Sequence, residues 1–378
     1  TTINRHLTSV SAPANNWGCY YIERRMFHVK LFSENSYVDI RSILADDERY
    51  TFVWIIGGRA TGKTYTFLKT VIEDDMRFIY MRRRQTQVDL IKTPEFNPFK
   101  KLNKNEGWNI VPAPITKNHS GFYNGKMDKD GIIRPEGAPL GYAMALSTIS
   151  GLRGFDASDV EIWCYDEFIP EMNERAIANE GSAFLNAYET INRNRELEGE
   201  KPLRFIGLSN SNTAANDIFL YLHLTEVVER MKKRGQRVWK NLDRRTMIID
   251  LGDSEISEQK RDTALYKMAQ GTDFIGMSLD NEFMDDDFSN INSMPLVEYI
   301  PKVAIGEICI YKHKSRSEYY VSSTITGSPR RIDDTEAGKL LFRKRYDYLW
   351  KVFLNGKIIF ENFYCKKVLT KFLNNANV

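Results

Sequence analysis

GGRATGKT, residues 57–64, fits the spacing G-x-x-x-x-G-K-[ST] through Gly57, Gly62, Lys63 and Thr64. That spacing suits a polyphosphate. Glycines let backbone N–H groups turn inward around the phosphates, and the helix that begins here adds the positive end of its dipole. The lysine reaches the β and γ phosphates, and the threonine hydroxyl meets Mg²⁺. Gly58, Arg59, Ala60 and Thr61 complete the candidate cradle. The motif carries this meaning only between a strand and a helix. YTFVWIIGG ahead reads as an apolar strand and TYTFLKTVI behind as a helix, so ATP with Mg²⁺ is the expected ligand.

A phosphate loop needs acids opposite it, and VEIWCYDEF at 160–168 supplies two. Ile162 to Tyr165 form a buried strand, Asp166 at its carboxyl end can join Thr64 in holding the metal, and Glu167 can orient and deprotonate a water aimed at the γ phosphate. Two acids after an apolar strand also occur as a solvated strand end, and it is the phosphate loop that favours the catalytic reading. RFIGLSN ends in Ser209 and Asn210. These can sense the attacking water or the γ phosphate, or simply form a favoured turn pair after a strand. In INRNRE, residues 191–196, the helical wheel places Phe184, Leu185, Tyr188 and Ile191 on one face, Arg193 nearly opposite and Arg195 turned back toward that face. An outward arginine can enter a neighbouring subunit's site and stabilise transition-state charge there, or merely complement the helix dipole.

The elements that must position these residues alternate between strand and helix. We read strand, Gly-rich turn and helix over 51–72, a strand over 77–83, and an irregular Gly- and Pro-rich stretch with short strands over 93–146. A strand over 160–166, a helix over 181–196, a strand over 204–209 and a helix over 218–234 follow. Apolar strands alternating with helices predict a parallel sheet covered on both faces, an α/β fold. Residues 1–228 are assigned to this domain. Residues 229–290, charged and ending in Asp285, Asp286 and Asp287, are assigned to a linker or lid subdomain. Residues 291–378 are assigned to a C-terminal α+β domain, with a hairpin over 299–327 and a helical last 40 residues.

With 378 residues, 42% hydrophobic and 27% charged, the chain can bury a sizeable core spread over two or three domains. No apolar stretch approaches the ~18 residues of a membrane span, and no signal peptide opens the chain, so an intracellular place and no membrane partner are expected. Cys19, Cys164, Cys309 and Cys365 show no C-x-x-C spacing, and the five histidines do not cluster, which argues against a disulfide frame or a zinc site. The net charge of +3 is too small to announce a nucleic-acid binder. Two basic clusters matter more: Arg82, Arg83 and Arg84 after a strand, and eight Lys and Arg residues from Arg230 to Arg245. Each is open to reading as a solvated face or as a polyanion contact.

Five segments in order, IIGGRATGKTY, IWCYDEFIP, INRNRE, FIGLSNSNTAANDIF and IGMSLDNEF, resemble the DNA-packaging ATPase of the phi-29-like small tailed phages. The resemblance runs from about Tyr50 to Phe283 and continues more weakly to the C-terminus. It implies a P-loop NTPase domain of the additional-strand, catalytic-glutamate type, with Gly57 to Thr64 as phosphate loop, Asp166 and Glu167 as metal and catalytic acids, and Arg193 as arginine finger in trans. It further implies a pentameric ring in the host cytoplasm, docked at the portal vertex of a prohead, with double-stranded DNA, the portal and a prohead RNA as partners. The C-terminal domain of such proteins is similar to an RNase H-like nuclease that has lost its metal site. The acids near its strands here (Glu298, Glu307, Asp333, Asp334, Glu336) read as inactive, while Lys339, Lys344, Lys351, Lys357, Lys366, Lys367 and Lys371 are candidates for gripping DNA or RNA. The basic cluster after Arg82 aligns with the family's Arg-Arg segment after its second strand, whose partner is open between nucleotide, DNA and the adjacent subunit. The chain departs from these relatives in a longer N-terminus and a longer segment between Thr93 and Met144. A monomeric P-loop kinase and a nucleotide-gated assembly protein stand as the alternatives to a motor.

Overall fold

The computed structural model describes residues 29–131, 133–152, 157–171, 174, 177, 179–210, 216–252, 254–270, 272, 275 and 290–373. The acidic run at 285–287, all of IGMSLDNEF after its first residue, part of FIGLSNSNTAANDIF, and His6, Cys19 and His28 lie outside the described residues.

Nine strands form the first sheet: β1 (Phe52–Ile56), β2 (Phe78–Arg82), β3 (Ile110–Pro114), β4 (Ser120–Met127), β5 (Ile133–Ala145), β6 (Ile162–Asp166), β7 (Arg204–Ser209), β8 (Val238–Asn241) and β9 (Thr246–Asp250). Their order is β3-β4-β5-β2-β6-β7-β1-β9-β8. The run from β5 through β9 is parallel, while β3 and β4 at one edge and β8 at the other pair antiparallel. The central strands are covered on both faces, which is why they read as unbroken apolar runs. Alternation divides β1 between two cores. Val53 and Ile55 pack with Phe67, Leu68 and Val71 of the helix Lys63–Glu73, and Trp54 and Ile56 pack with Phe184, Ala187 and Ile191 of the helix Glu180–Asn192.

Several expectations need correction. Residues 238–250, assigned above to a linker, are strands β8 and β9 of this sheet. The apolar run Met247 to Ile249 is short and sits between charged residues, so its burial against β1 is invisible in a window. The stretch 93–146 contributes three ordered strands and the helix Lys100–Glu106. The helix expected over 181–196 stops at Asn192. The one expected over 218–234 is two, Asp217–Tyr221 and Thr225–Lys233, broken where His223 takes φ 53°.

A second sheet holds β10 (Tyr299–Ile305), β11 (Ile308–His313), β12 (Tyr319–Ser322), β13 (Arg330–Ile332) and β14 (Ile358–Phe360) in the order β13-β10-β11-β12-β14. β10, β11 and β12 form an antiparallel meander, and β13 and β14 lie parallel to its two edges. The tail is therefore not wholly helical: β14 interrupts it because Ile358 and Phe360 are needed in the core beside Phe342 and Leu369.

Arg82 and Arg83, expected at a surface or polyanion contact, both point inward. Strand alternation sends them to opposite faces. The Arg83 guanidinium, 1% exposed, donates to Glu180 through Nε at 2.8 Å and Nη2 at 2.6 Å, and Glu174 lies 2.6 Å from Nη1. Tyr165 donates its hydroxyl to Glu180 at 2.8 Å. Glu180 opens its helix, so this pair ties that helix to the carboxyl end of β2. Removing one partner of a buried pair strands the other's charge. Glu180→Ala should therefore lower stability by about 3 kcal/mol, read as the shift in chemical-denaturation midpoint. An unchanged midpoint would show that the pair does not hold the helix.

Candidate active site

The loop 57–64 connects β1 to its helix with no room to spare. A Cβ on Gly57 would lie 2.6 Å from Leu251 Cδ1. Gly62 adopts φ +87° with the Tyr37 ring against it, so a side chain there would meet both strain and a clash. The N–H of Val38 donates to the Thr61 carbonyl at 3.0 Å, which straps the loop from outside. Lys63 begins the helix and folds back, its ammonium donating to the carbonyls of Gly57 at 2.9 Å and Gly58 at 2.8 Å, with Asn210 Oδ1 at 3.4 Å. Burial pushes this ammonium down to about 8, against the opposing pull of Asp166 and Glu167.

Strand β6 delivers the acids to the same edge. Thr64 Oγ1 lies 3.0 and 3.1 Å from the two Asp166 oxygens, Tyr80 donates its phenol to Asp166 at 2.6 Å, and Arg82 Nη1 reaches it at 3.2 Å. The other arm of Arg82 pairs with Glu167, so one guanidinium bridges both acids. Glu167 sits at φ 54°, its N–H donating to the Leu208 carbonyl at 2.7 Å, a left-handed turn that swings its carboxylate away from the strand and leaves it half exposed. Partial desolvation raises its pKa against the pull of Arg82, with Asp166 adding to the rise, which is the direction a general base needs. Ser209 and Asn210 differ. The Ser209 hydroxyl accepts the Ile169 N–H at 3.2 Å and so anchors the turn after Glu167, whereas Asn210 faces Lys63. Arg59 to Tyr65 with Asp166, Glu167, Ser209 and Asn210 line one cleft of about 320 Å³.

This donor set fits Mg²⁺ with a polyphosphate. Octahedral coordination at about 2.1 Å puts neighbouring ligand atoms about 3 Å apart, and Thr64 Oγ1 and Asp166 Oδ1 are 3.0 Å apart. The Nε atom of Arg59, a residue of the cleft lining, is buried with no hydrogen-bond partner among the described residues, a costly arrangement that an anion in the cleft can relieve.

The arginines of INRNRE go elsewhere. The buried Arg195 donates to the carbonyls of Val160 and Ala157, both at 2.6 Å, at the amino end of β6. Arg193 is exposed, with φ 51° and ψ −133°, and caps the far end of the helix whose first residue contacts β2. Thirteen helical residues span about 20 Å, so Arg193 lies outside the cleft of its own chain. The basic run 230–245 is largely engaged: Lys232 pairs with Asp250, Lys233 with Glu229, Lys240 with Asp46 and Arg245 with Glu196. In the second sheet's domain, Glu298 pairs with Arg316 and lies 3.5 Å from His313, and Glu307 accepts the Tyr364 hydroxyl at 3.3 Å.

Arg82, singled out in the sequence with its partner open, meets both acids, and two contributors escaped that reading. Tyr80 shares one face of β2 with Arg82, beside β6, through strand alternation. Lys260, whose ammonium donates to the Arg59 carbonyl at 3.2 Å, comes from 201 positions later and carries no local signal.

Comparison with known proteins places this geometry in a family. The model of the podovirus DNA encapsidation protein (Gp16) matches residues 33–378. The DNA packaging protein of Bacillus phage B103 is 28% identical over 331 residues, covering 82% of this chain and 92% of that one. The DNA packaging protein of Bacillus phage phi29 is 28% identical over 239 residues, 62% of each chain. Among solved structures, the Phi-28 gp11 DNA packaging motor overlays with a TM-score of 0.58 at 18% identity, over 90% of this chain and 98% of that one. The bacteriophage Phi-29 viral genome packaging motor assembly gives 0.57 at 20% identity, over 91% and 100%. At those identities the likeness is one of fold, and it extends through both sheets. With the family match running over nearly its whole length, the chain belongs to the podovirus DNA encapsidation protein (Gp16) family.

Proposed function

We propose that this chain is an ATP-hydrolysing subunit of a motor that drives double-stranded DNA into a preformed prohead. The observation that carries the reading is the convergence of Lys63, Thr64, Asp166 and Glu167 in one cleft, with Arg82 bridging the two acids. Lys63 and the loop amides bind the β and γ phosphates, and Thr64 and Asp166 hold Mg²⁺, which when bound neutralises charge developing on the phosphate oxygens. Glu167, presented to solvent on its turn, accepts the proton of the water that attacks the γ phosphorus as the bond to the β–γ bridging oxygen breaks. A half-exposed base beside the metal carboxylate suits water better than a small-molecule acceptor, which favours hydrolysis over a kinase.

Arg193 acts in a neighbouring subunit. Its place at the far end of the sheet rules against its own cleft, and its turn is pinned on both sides: Asn192 Oδ1 accepts the Leu203 N–H at 2.7 Å, and Arg195 is anchored under β6. A non-glycine residue held in so sparsely populated a conformation needs such support. This reading calls for a closed ring, which we take as a pentamer at the portal vertex in the host cytoplasm, with prohead RNA as a further partner. The C-terminal domain, read as RNase H-like without nuclease activity, offers its lysines to DNA or RNA backbone; Glu298 and Glu307 are already committed to partners within the domain.

Two inactive variants, Lys63→Ala and Arg193→Ala, mixed where the wild type assembles, should together recover ATP turnover, because an intact loop then meets an intact arginine from another chain. Silence from a mixture that still assembles would remove the finger in trans. The Lys63 ammonium provides a second test. Phosphate binding raises its pKa from about 8, so ATP affinity should be level below about pH 8 and fall above it, by about tenfold per pH unit at most for one linked proton. A calorimetric titration series that stays flat to pH 9.5 would contradict it.

A further inference from the structure

Lys260 sits on the helix Glu255–Arg261, beyond the last strand of the first sheet, yet its ammonium lies 3.2 Å from the Arg59 carbonyl in the phosphate loop. The helix is held there by Ser36, which pairs with Glu255, and the same N-terminal segment presses Tyr37 on Gly62. Lys260 is half-buried, and among the described residues no carboxylate pairs with it. Its own helix spends its acids elsewhere, Glu255 on Ser36 and Glu258 on Arg261 at 3.1 Å, while Asp262 lies 3.5 Å from Lys267. Its positive charge also bears on Lys63. The Tyr266 ring lies 6.0 Å from the ammonium and the Arg59 guanidinium pairs with Glu171, so the cation that Lys260 bears on is Lys63. Two partly desolvated ammonium groups are unfavourable near one another and become favourable when an anion sits between them.

We infer that Lys260 is a third cation of the triphosphate site, brought by the segment that follows the sheet and directed at the γ phosphate. The inference rests on the ATP-binding reading above. The γ end is indicated because Lys63, whose family of loops brings it to the β and γ phosphates, lies on the carbonyls of Gly57 and Gly58, next to the Arg59 carbonyl that Lys260 occupies. The residue thereby lets the lid segment distinguish a triphosphate from a diphosphate.

The alternative role, a hydrogen bond that merely braces the loop, makes a different prediction. Lys260→Gln keeps a donor for the Arg59 carbonyl and loses the charge; Lys260→Arg keeps both. In the full chain, with Mg²⁺ present, equilibrium binding of ATP and of ADP by displacement of a fluorescent nucleotide should show Lys260→Gln weakening ATP about tenfold and ADP less than threefold, with Lys260→Arg near wild type. Wild-type binding by Lys260→Gln, or equal loss of both nucleotides, would overturn the inference. Lys63→Ala serves as the control: if it also binds ATP normally, the phosphate-loop reading itself has failed. Should Lys260→Gln not fold, amine acetylation of the wild type read by mass spectrometry decides the matter. Protection of Lys260 by ATP and not by ADP supports the inference, and equal labelling in both contradicts it.

Discussion

A buried ammonium and a buried carboxylate face one another across the carboxyl edge of the first sheet, and the rest of the molecule is arranged around keeping both there. Lys63 is 8% exposed and Asp166 4%. Each ion so placed costs several kcal/mol of lost hydration, recovered only through well-formed partners. For Lys63 these are two loop carbonyls, fixed by glycine geometry and by the strap from Val38. For Asp166 they are Thr64, Tyr80 and Arg82. β1 and β6 are not neighbours; β7 lies between them and ends in Ser209, which braces the turn after Glu167, while Asn210 just beyond it faces Lys63. Parallel strands ending at one level are what allow three loops to share a single charged cleft.

The helix Glu180–Asn192 extends that arrangement to the other end of the sheet. Its first residue is locked to Arg83, which adjoins the arginine bridging the acids, and its last turn is locked by Asn192 and Arg195 beneath β6. Arg82 and Arg83, adjacent in sequence and opposite in direction, thus join the cleft to the element that carries Arg193. A rod fixed at both ends gives Arg193 a defined place relative to the chain's own cleft.

Much of the cleft was legible because its chemistry is local in sequence. The GGRATGKT spacing, the acids after an apolar strand and the inward turn of Arg195 each depend on residues within a few positions of one another. What escaped depends on pairing across the chain. β8 and β9 look like charged linker until Met247 to Ile249 are seen against β1, and β14 is three residues long inside a helical stretch. The sequence left Arg82, Arg83 and Arg84 open between a solvated face and a polyanion contact, whereas burial against Asp166, Glu167 and Glu180 turns two of them into interior counter-charges. Lys260 could not be found by any window, because only the folded chain brings it to Arg59.

The claim on which the account turns is that Glu167 is the base of a hydrolytic site rather than part of what binds the nucleotide. Glu167→Gln tests it most directly, because it preserves shape and removes only the capacity to take a proton. ATP affinity should be retained within about threefold while turnover falls by about 10² or more, the usual scale of general-base catalysis. Loss of ATP binding in a folded Glu167→Gln chain, or turnover close to wild type, would contradict it.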